Sequence, residues 1–487
     1  MKNKAASIVS RRQFLRQAAC AALGTGALTS AIRDLRFMNA AVAQSAITDY
    51  KALVCIFLAG GNDSNNLIVP TIASEYADYA TIRTNVLALP LSGAPNVVIP
   101  LSPLTSDGHE YGLHPACPEL ATLFGESKLA VLFNTGTLVY PMTRVQYQSG
   151  ILERPPQLFS HSDQITQWQT SIPDRPPLTG WGGRCADLLA AVQPDAPISL
   201  CVTLSGANTF EVGNIVSQYS VTSSGAINLS SVSGTRLQTL TNILALPYPN
   251  LQVKAYADVG QHAVQTGGLL NAAISPTAAP TYWTVPFPTT ITSPTGGRPF
   301  DSRLASQLQM VARLIEAGNR SVANGGFGMK RQIFFCEVDG YDLHSGQTPG
   351  AGQSTLGSHA NLLAELSQSM LAFQRAMEQL SLSSNVTTFT ASDFGRTFPC
   401  NGDGTDHGWG SHHLIMGGAV NGRRTYGRFP TLAINGPDDT NTGRWIPTTS
   451  IDQYFATLAT WFGVDGSNLP NVFPNLGHFS TPDLGFV

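Results

Sequence analysis

The chain has 487 residues, a formal net charge of −3 and only 12% charged residues. Of its 28 Lys and Arg residues, seven lie in residues 1–43 together with one of the 31 acidic residues, so residues 44–487 carry a net charge near −9. That balance argues against a nucleic-acid partner, which binds a basic face. Residues 44–487 exceed the usual size of a single core, which predicts a large domain with an insertion, or two domains.

The first element, residues 1–43, is predicted to be an export signal. Residues 10–16 read SRRQFLR, the residue order of a twin-arginine signal, and a weakly apolar stretch separates them from a small-x-small cleavage site at residues 41–43. A basic amphipathic helix would not explain that order. No later run approaches 18 apolar residues, so we expect no transmembrane segment. The sequence therefore predicts a periplasmic or extracellular protein that is exported folded by the twin-arginine route.

After the signal, short apolar runs alternate with helical patterns. Strands are predicted at residues 53–58, 129–134, 333–335 and 386–390, and helices at 75–87, 118–124, 165–170, 181–189, 303–323 and 356–382. Strand–helix–strand alternation implies parallel pairing with right-handed crossovers. We therefore expect an α/β fold, a mostly parallel sheet with helices on both faces. A Ser/Thr/Gly/Pro-rich stretch at about 190–299 is predicted to be an irregular or β insertion.

Polar residues follow three of the predicted strands. Asp63 comes after the first strand and two glycines. Asp342 and His344 follow the third strand, and their spacing lets both side chains bind one metal. Asp393 ends the fourth strand, and Arg396 beside it has the forked geometry that holds anions. Because open α/β sheets place their chemistry at the carboxyl ends of strands, we expect these residues at one edge.

A fourth polar stretch, residues 402–413, holds three histidines among four glycines. Such a composition has little structural purpose and favours a metal or anion site. With the strand ends, it offers oxygen and nitrogen ligands for one or two divalent ions: Asp63, Asp342, His344, Asp393, His407 and His412. This mixture without cysteine suits zinc, manganese, iron or calcium.

Ser160 is the candidate nucleophile. It precedes His161 at the predicted start of a helix. A hydroxyl at a helix N-terminus near a metal has its alkoxide stabilised. His161 would then contact the ester oxygens, and Arg396 would hold a non-bridging oxygen. Ser160 as a plain helix N-cap is the alternative.

Six motifs along nearly the whole mature chain carry a family resemblance. They are residues 57–63 (FLAGGND), 113–115 (LHP), 160–161 with Trp168, 340–344 (GYDLH), 393–397 (DFGRT), and 404–413 (GTDHGWGSHH) with 416–418. Together they resemble the bacterial DUF1501 proteins, twin-arginine-exported proteins of unknown function that are similar to the alkaline phosphatase/sulfatase superfamily. The resemblance covers residues 44–487 as one domain.

The resemblance implies an alkaline-phosphatase-like sheet with metal ligands at its strand ends, and a Ser or Thr nucleophile that attacks a phosphate or sulfate ester. By position, Asp63 matches the carboxylate after the first strand, and Asp342 with His344 matches the middle ligand group. Asp393 matches the aspartate of an Asp-His pair, and His407 or His412 matches the late histidine. In this chain, Phe394 occupies the position of the histidine in that pair. The sequence therefore departs from the pattern of a dinuclear zinc site at this position.

Two functions are predicted. The first is an exported metal-dependent hydrolase of phosphate or sulfate esters, acting on a small-molecule or polymer substrate. The alternative is a non-catalytic periplasmic or surface protein that keeps the fold for binding or assembly. DUF1501 proteins commonly accompany a DUF1800 protein, so the resemblance implies a DUF1800 partner.

Export is expected to need both arginines of the signal. In a variant with Arg11→Lys and Arg12→Lys, the precursor should stay in the cytoplasm, because the twin-arginine pathway reads this pair. Immunoblots of periplasmic fractions test this, and N-terminal sequencing of the exported parent should find cleavage after Ala43. A periplasmic yield equal to the parent's would contradict the prediction.

Overall fold

A computed structural model describes residues 47–193, 196–227, 232–275 and 286–487, and the predicted signal at residues 1–43 lies outside them. The strands are β1 Lys51–Leu58, β2 Ile68–Pro70, β3 Ile99–Pro100, β4 Tyr111–Leu113, β5 Leu129–Gly136, β6 Cys201–Thr203, β7 Tyr219–Thr222, β8 Gly225–Ala226, β9 Thr290–Ile291, β10 Phe300–Asp301, β11 Arg331–Val338, β12 Val386–Ser392, β13 Ser411–Gly417, β14 Thr425–Tyr426 and β15 Thr449–Ser450.

The helices alternate with these strands along much of the chain. They are α1 Ser64–Leu67, α2 Ala73–Leu87, α3 Pro118–Gly125, α4 Arg144–Ser149, α5 His161–Thr170, α6 Trp181–Leu189, α7 Thr235–Leu244, α8 Leu251–Ala273, α9 Arg303–Asn319, α10 Ser358–Gln379, α11 Ile451–Phe462 and α12 Leu469–Val472. No helix in the described ranges is long and apolar enough to cross a membrane.

The centre of the fold is a ten-stranded sheet in the order β14-β5-β13-β12-β1-β11-β6-β7-β8, with β15 also paired to β5. Most neighbouring pairs are parallel, and β13 runs antiparallel to both of its neighbours. The four predicted strands all lie in this sheet, and the predicted α/β class with a mostly parallel sheet is confirmed. The strands β1 and β12 are buried almost throughout, as their continuous apolar sequences require.

Helices cover the sheet on both faces because the chain crosses it in two directions. The connection from β5 to β6 contains α6, and the connection from β11 to β12 contains α10 and runs the opposite way across the sheet. Right-handed crossovers in opposite directions place their helices on opposite faces. On the first face, Trp181 of α6 stacks on Phe455 of α11, and both rings contact Phe389 of β12. On the other face, α9 and α10 pack against each other.

Three central strands end level with one another. Leu58 of β1 is paired with Val338 of β11 on one side and with Ser392 of β12 on the other. The loops that follow these strands therefore begin at the same place on one edge of the sheet. The main-chain N–H of Gly60, after β1, donates to Asp393 Oδ1, after β12, at 3.0 Å. This edge is called the carboxyl edge below.

The insertion at about 190–299 differs from its prediction. Its described residues contain α7 and α8, so the irregular or β character predicted for it is wrong for residues 235–244 and 251–273. The helix α8 begins with a cap, since the Asn250 side chain accepts from the N–H groups of Gln252 and Val253. Overall composition concealed this local helix signal, because most Ser, Thr and Gly residues of the insertion lie before its first helix or after its second.

A buried carboxyl group, Glu211, gives the fold a pH-dependent stability. Burial raises its pKa to about 8, against hydrogen bonds from Asn208 and the Val202 backbone that lower the pKa. The folded protein therefore keeps this proton at a pH where the unfolded chain, with the ordinary pKa of 4.5, has released it. The stabilisation is complete below that value and falls as pH rises toward 8.

Replacing this carboxyl group with an amide should flatten that dependence. As pH rises from 5 to 8, the free energy of unfolding of the parent should fall by about 1.4 kcal/mol per pH unit because of Glu211. Glu211→Gln should lack this fall, so its stability relative to the parent should rise by the same amount. Urea unfolding at several pH values across this window measures the difference, with Glu153→Gln at an exposed carboxylate as control. A difference that does not change with pH would contradict the assignment.

Candidate metal centre

Four side chains converge at the carboxyl edge. The Nε2 atoms of His344 and His407 are 2.8 Å apart, and those of His161 and His407 are 3.1 Å apart. Carboxylate oxygens of Asp342 lie 3.2, 3.3 and 3.4 Å from the Nε2 atoms of the same three histidines. Tetrahedral ligands at about 2.0–2.1 Å from a zinc ion are themselves separated by about 3.3 Å. His161, Asp342 and His407 each offer a ligand atom within 4.8 Å of the other two, and His344 adjoins this group through His407 and Asp342. The four residues are called the His/Asp cluster below.

The other ring nitrogen of each histidine is held by an oxygen acceptor. The three Nδ1 contacts are His161 to Asp393 Oδ2 at 2.6 Å, His344 to Asp406 Oδ1 at 3.0 Å, and His407 to the main-chain oxygen of Phe159 at 2.8 Å. A carbonyl oxygen only accepts hydrogen bonds, so the Nδ1 of His407 carries the hydrogen. Histidines that bind metals usually donate their free N–H to such a carboxylate or carbonyl.

This donor set fits a divalent transition metal. With the hydrogens on Nδ1, the Nε2 lone pairs of His161 and His344 each face that of His407 at close range, and a cation placed between them removes the repulsion. Three imidazoles and one carboxylate suit zinc, manganese or iron, whereas calcium takes six to eight oxygen ligands. Of the four predicted metals, calcium is the one that these ligands do not suit.

Neighbouring groups adjust the charges of the cluster. The hydrogen bond that His161 donates to Asp393 raises the pKa of His161, while burial lowers the pKa of His407. Burial raises the pKa of Asp342, but the hydrogen bond and charge of Arg396 together with the charges of His161 and His344 outweigh it, and the net pKa lies below the ordinary value. Asp342 is therefore ionised at neutral pH, as a carboxylate ligand must be.

Two glycines allow the loops of the cluster to approach closely. A Cβ atom on Gly60 would lie 2.3 Å from the main-chain nitrogen of Asp342, and one on Gly404 would lie 2.4 Å from the carbonyl oxygen of Leu343. Gly60 also has a φ of +114°, which side chains with a Cβ rarely adopt. These contacts bring the loop after β1 and the loop before β13 against the loop that carries Asp342 and His344.

The cluster is open to solvent on one side. The exposed fractions of the side chains are 45% for His344, 43% for Asp342, 32% for His161 and 21% for His407. The carboxylate of Asp393 behind them is 1% exposed. An ion held by these ligands would therefore have one face that a water molecule or a substrate can reach.

Asp63, a predicted ligand, lies apart from this cluster. It is buried, forms an ion pair with Arg83 of α2 and accepts from Gln347 Nε2 at 2.5 Å. Burial raises the pKa of Asp63, but the charges of Arg83 and His359 and the hydrogen bonds from Gln347 and Arg83 together outweigh it, so the net pKa is lowered. Asp63 is thus held by Arg83 and Gln347, and it is not among the residues whose ligand atoms lie together. The structure thus corrects Asp63 from a ligand to an ion-pair partner.

Arg396, predicted to hold a substrate oxygen, is buried instead and bonds only to protein. Its Nη1 donates to Asp342 Oδ1 at 2.7 Å and to Gly60 O at 3.2 Å, while Nε and Nη2 donate to the side chain and the carbonyl of Thr405. These donors orient the Asp342 carboxylate and tie the loop of Thr405 to it. The predicted anion contact is corrected to a positioning role.

The two remaining predicted ligands also lie outside the His/Asp cluster. Both oxygens of Asp393 are used by protein donors, Oδ1 by Gly60 N–H and Oδ2 by the ring of His161, so Asp393 positions a ligand. His412 lies within β13, where it is buried, accepts from Asn134 N–H at 3.1 Å and packs on Phe133. The structure does not bring His412 to the cluster because the glycine-rich stretch becomes a buried strand at Ser411.

Ser160 precedes α5, but its side chain does not cap the helix by bonding a main-chain N–H. Its hydroxyl instead donates to Asp163 Oδ2 at 2.6 Å. Ser160 is thus next in sequence to a cluster residue and hydrogen-bonded to a carboxylate. The two roles predicted from the sequence, nucleophile and helix N-cap, did not include a hydrogen bond between Ser160 and Asp163.

Three contributors to the cluster were not predicted: His161 as a ligand, Asp406 and the carbonyl of Phe159. Asp406 adjoins His407 in the polar stretch, and a second carboxylate beside a ligand histidine is the signal that could have identified it. The role of Phe159 could not be read from its side chain, since its main-chain oxygen makes the contact.

Fold and site together define an α/β protein with a His/Asp cluster at the carboxyl edge of a mainly parallel sheet. The family model described as "Protein of unknown function (DUF1501)" matches residues 290–469, which confirms the predicted resemblance over that stretch. No curated protein matches the sequence.

Two solved structures are similar to this chain. One is a sulfatase from Pseudoalteromonas sp., with 9% identity and a TM-score of 0.31, covering 89% of this chain and 72% of that chain. The other is the phosphonate monoester hydrolase of Agrobacterium radiobacter, with 9% identity and a TM-score of 0.29, covering 84% and 73%.

Metal content should distinguish cluster residues from the predicted ligands that lie elsewhere. His344→Ala and His407→Ala are expected to lose more metal affinity than the 10–100-fold typical of changes to groups that only position a ligand. Asp63→Asn and His412→Gln should keep the metal content of the parent. Elemental analysis of folded, dialysed protein measures this. Loss of metal in Asp63→Asn with retention in His407→Ala would contradict the assignment.

Proposed function

We propose that this protein is an exported metal-dependent hydrolase of phosphate or sulfate esters. The observation that carries the proposal is the convergence of three histidine Nε2 atoms and the Asp342 carboxylate, with each Nδ1 held by an oxygen acceptor. Export is part of the proposal and depends on residues 10–16.

The ligands would be His161, Asp342, His344 and His407, holding one zinc, manganese or iron ion. Such an ion supplies Lewis-acid polarisation of an ester oxygen and lowers the pKa of water. The remaining work belongs to the protein. Asp393 and Asp406 hold two imidazole rings in the orientation that directs Nε2 to the centre, and Arg396 fixes the carboxylate of Asp342.

Ser160 is the proposed nucleophile, with Asp163 as the acceptor of its proton. The hydrogen bond of 2.6 Å between them is within the reach expected of a nucleophile and its base. Ser160 Oγ attacks the phosphorus or sulfur atom, its proton passes to the Asp163 carboxylate, and the bond to the leaving alcohol oxygen breaks. That oxygen takes a proton from solvent. Water then attacks the seryl ester and releases its proton to solvent, while Ser160 Oγ leaves and takes back the proton held by Asp163.

The helix that follows Ser160 supports this role. Free main-chain N–H groups at the start of the ten-residue helix α5 carry partial positive charge, which favours a serine alkoxide and a bound oxyanion. Because His161 is the next residue, the same helix start carries both the nucleophile and a ligand.

The serine and an exposed serine elsewhere offer a controlled test. With aryl phosphate or aryl sulfate and added zinc, manganese or iron, Ser160→Ala should lower kcat by at least about 1,000-fold, as loss of a nucleophile does. Ser149→Ala, which removes an exposed hydroxyl that donates to the Gln146 carbonyl, should leave kcat within a few-fold. Metal content should be unchanged in both variants. Activity of Ser160→Ala close to that of the parent would exclude the serine as nucleophile.

The alternative function has a distinct outcome in the same assay. A parent protein that binds its metal and turns over neither ester would favour a binding or assembly protein that keeps the fold, with a DUF1800 protein as the partner to test. A parent that binds no metal would contradict the proposed centre itself.

A further inference from the structure

A half-buried arginine beside the cluster, Arg444, has no charge partner. Its Nε donates to the main-chain oxygen of His407 at 2.7 Å, and its guanidinium lies 4.3 Å from the centre of the Phe159 ring. Among the residues that the structure describes, neither a hydrogen-bond acceptor nor a carboxylate contacts its Nη atoms. Arg444 therefore touches a cluster histidine and the residue whose carbonyl orients that histidine, while its outer donors are unused.

Two buried arginines near the cluster, Arg83 and Arg396, already have charge partners. Arg83 is buried and bonded to Asp63, Asn66 and two carbonyl oxygens. Arg396 is buried and bonded to Asp342, Gly60 and Thr405. Arg444 thus differs from both in having an unneutralised positive charge.

The loop that carries Arg444 is held in place by hydrogen bonds to a buried carboxylate. Asp439 is fully buried and accepts from the main-chain N–H groups of Asn435, Asn441, Gly443 and Arg444 itself. These bonds satisfy the carboxylate without using the guanidinium. The next residue after Arg444, Trp445, is buried and donates to Asn65 Oδ1 at 2.8 Å. The backbone on both sides of Arg444 is therefore fixed, which sets the direction of its side chain.

We infer that Arg444 binds the tetrahedral oxyanion of the substrate beside the His/Asp cluster. This rests on the proposed function, and it assigns to Arg444 the anion contact that Arg396 does not make. Guanidinium groups present paired donors that match two oxygens of a phosphate or sulfate group. Stacking on Phe159 holds the guanidinium plane while leaving its Nη edge free, which is the geometry that such pairing needs. The substrate class is thus an ester that bears at least one anionic non-bridging oxygen.

Anion binding by the metal-loaded full-length mature protein tests this inference directly. Titration calorimetry with inorganic phosphate and with sulfate should show that Arg444→Gln weakens binding by about 10–100-fold, the range of a charge-assisted hydrogen bond. Arg444→Lys, which keeps the charge without the fork, should recover part of that loss. Arg303→Gln is the matched control, because Arg303 is 72% exposed and its partner Asp339 follows β11 at the same edge. That control should bind both anions like the parent, and metal content should be equal in all variants.

The outcomes separate this inference from the proposed function. Equal phosphate affinity in Arg444→Gln and the parent, an equal loss in Arg303→Gln, or a metal-loaded parent that binds neither anion would overturn the inference. If the parent hydrolyses an ester and Arg444→Gln leaves its KM unchanged, the inference fails while the function stands. If Arg444 is needed for phosphate binding but no ester is hydrolysed, the function fails while the inference stands. The ratio of phosphate to sulfate affinity in the parent identifies which ester is preferred.

Discussion

The His/Asp cluster depends on three hydrogen bonds that decide which nitrogen of each histidine faces its centre. The acceptors come from three parts of the chain: Asp393 after β12, Asp406 in the loop before β13, and the Phe159 carbonyl before α5. If any ring turned over, an N–H would point at the neighbouring Nε2 atoms and the convergence would be lost. Loop geometry thus fixes the tautomer, and the tautomer fixes the chemistry available at this edge.

A buried polar chain supports the cluster from behind. It runs from Arg83 through Asp63, Gln347 and Thr405 to Arg396, which bonds the Asp342 carboxylate. Removing one partner of a buried ion pair costs about 3–5 kcal/mol, because the other charge stays buried without compensation. The chain therefore couples the position of a solvent-facing ligand to the packing of α2, far from the cluster in sequence. Asp63 stabilises the centre without entering it.

The sequence predicted the site residues whose positions follow from a local strand pattern. It failed for residues whose role depends on partners that are distant in the sequence. Asp342 and His344 follow a recognisable buried strand, and because parallel strands end at one edge, their meeting with His407 could be foreseen. Asp63 has the same local context, yet Arg83 on a separate helix takes its charge. His412 looked like part of a glycine-rich loop, although residues 411–417 form a buried strand whose apolar continuation is Leu414, Ile415 and Met416.

Charge balance explains how a centre with one ion could act on an anionic ester. In two-metal sites, the two ions together stabilise the attacking and leaving oxygens. Among the described residues, one group of possible metal ligands is found, and Asp63 is ion-paired with Arg83 outside it. Arg444, held against His407 and Phe159, adds a positive charge that no described carboxylate neutralises. One ion and one guanidinium would then divide between them the work that a pair of metals does elsewhere, and the guanidinium, unlike a second ion, stays in place whatever the metal supply.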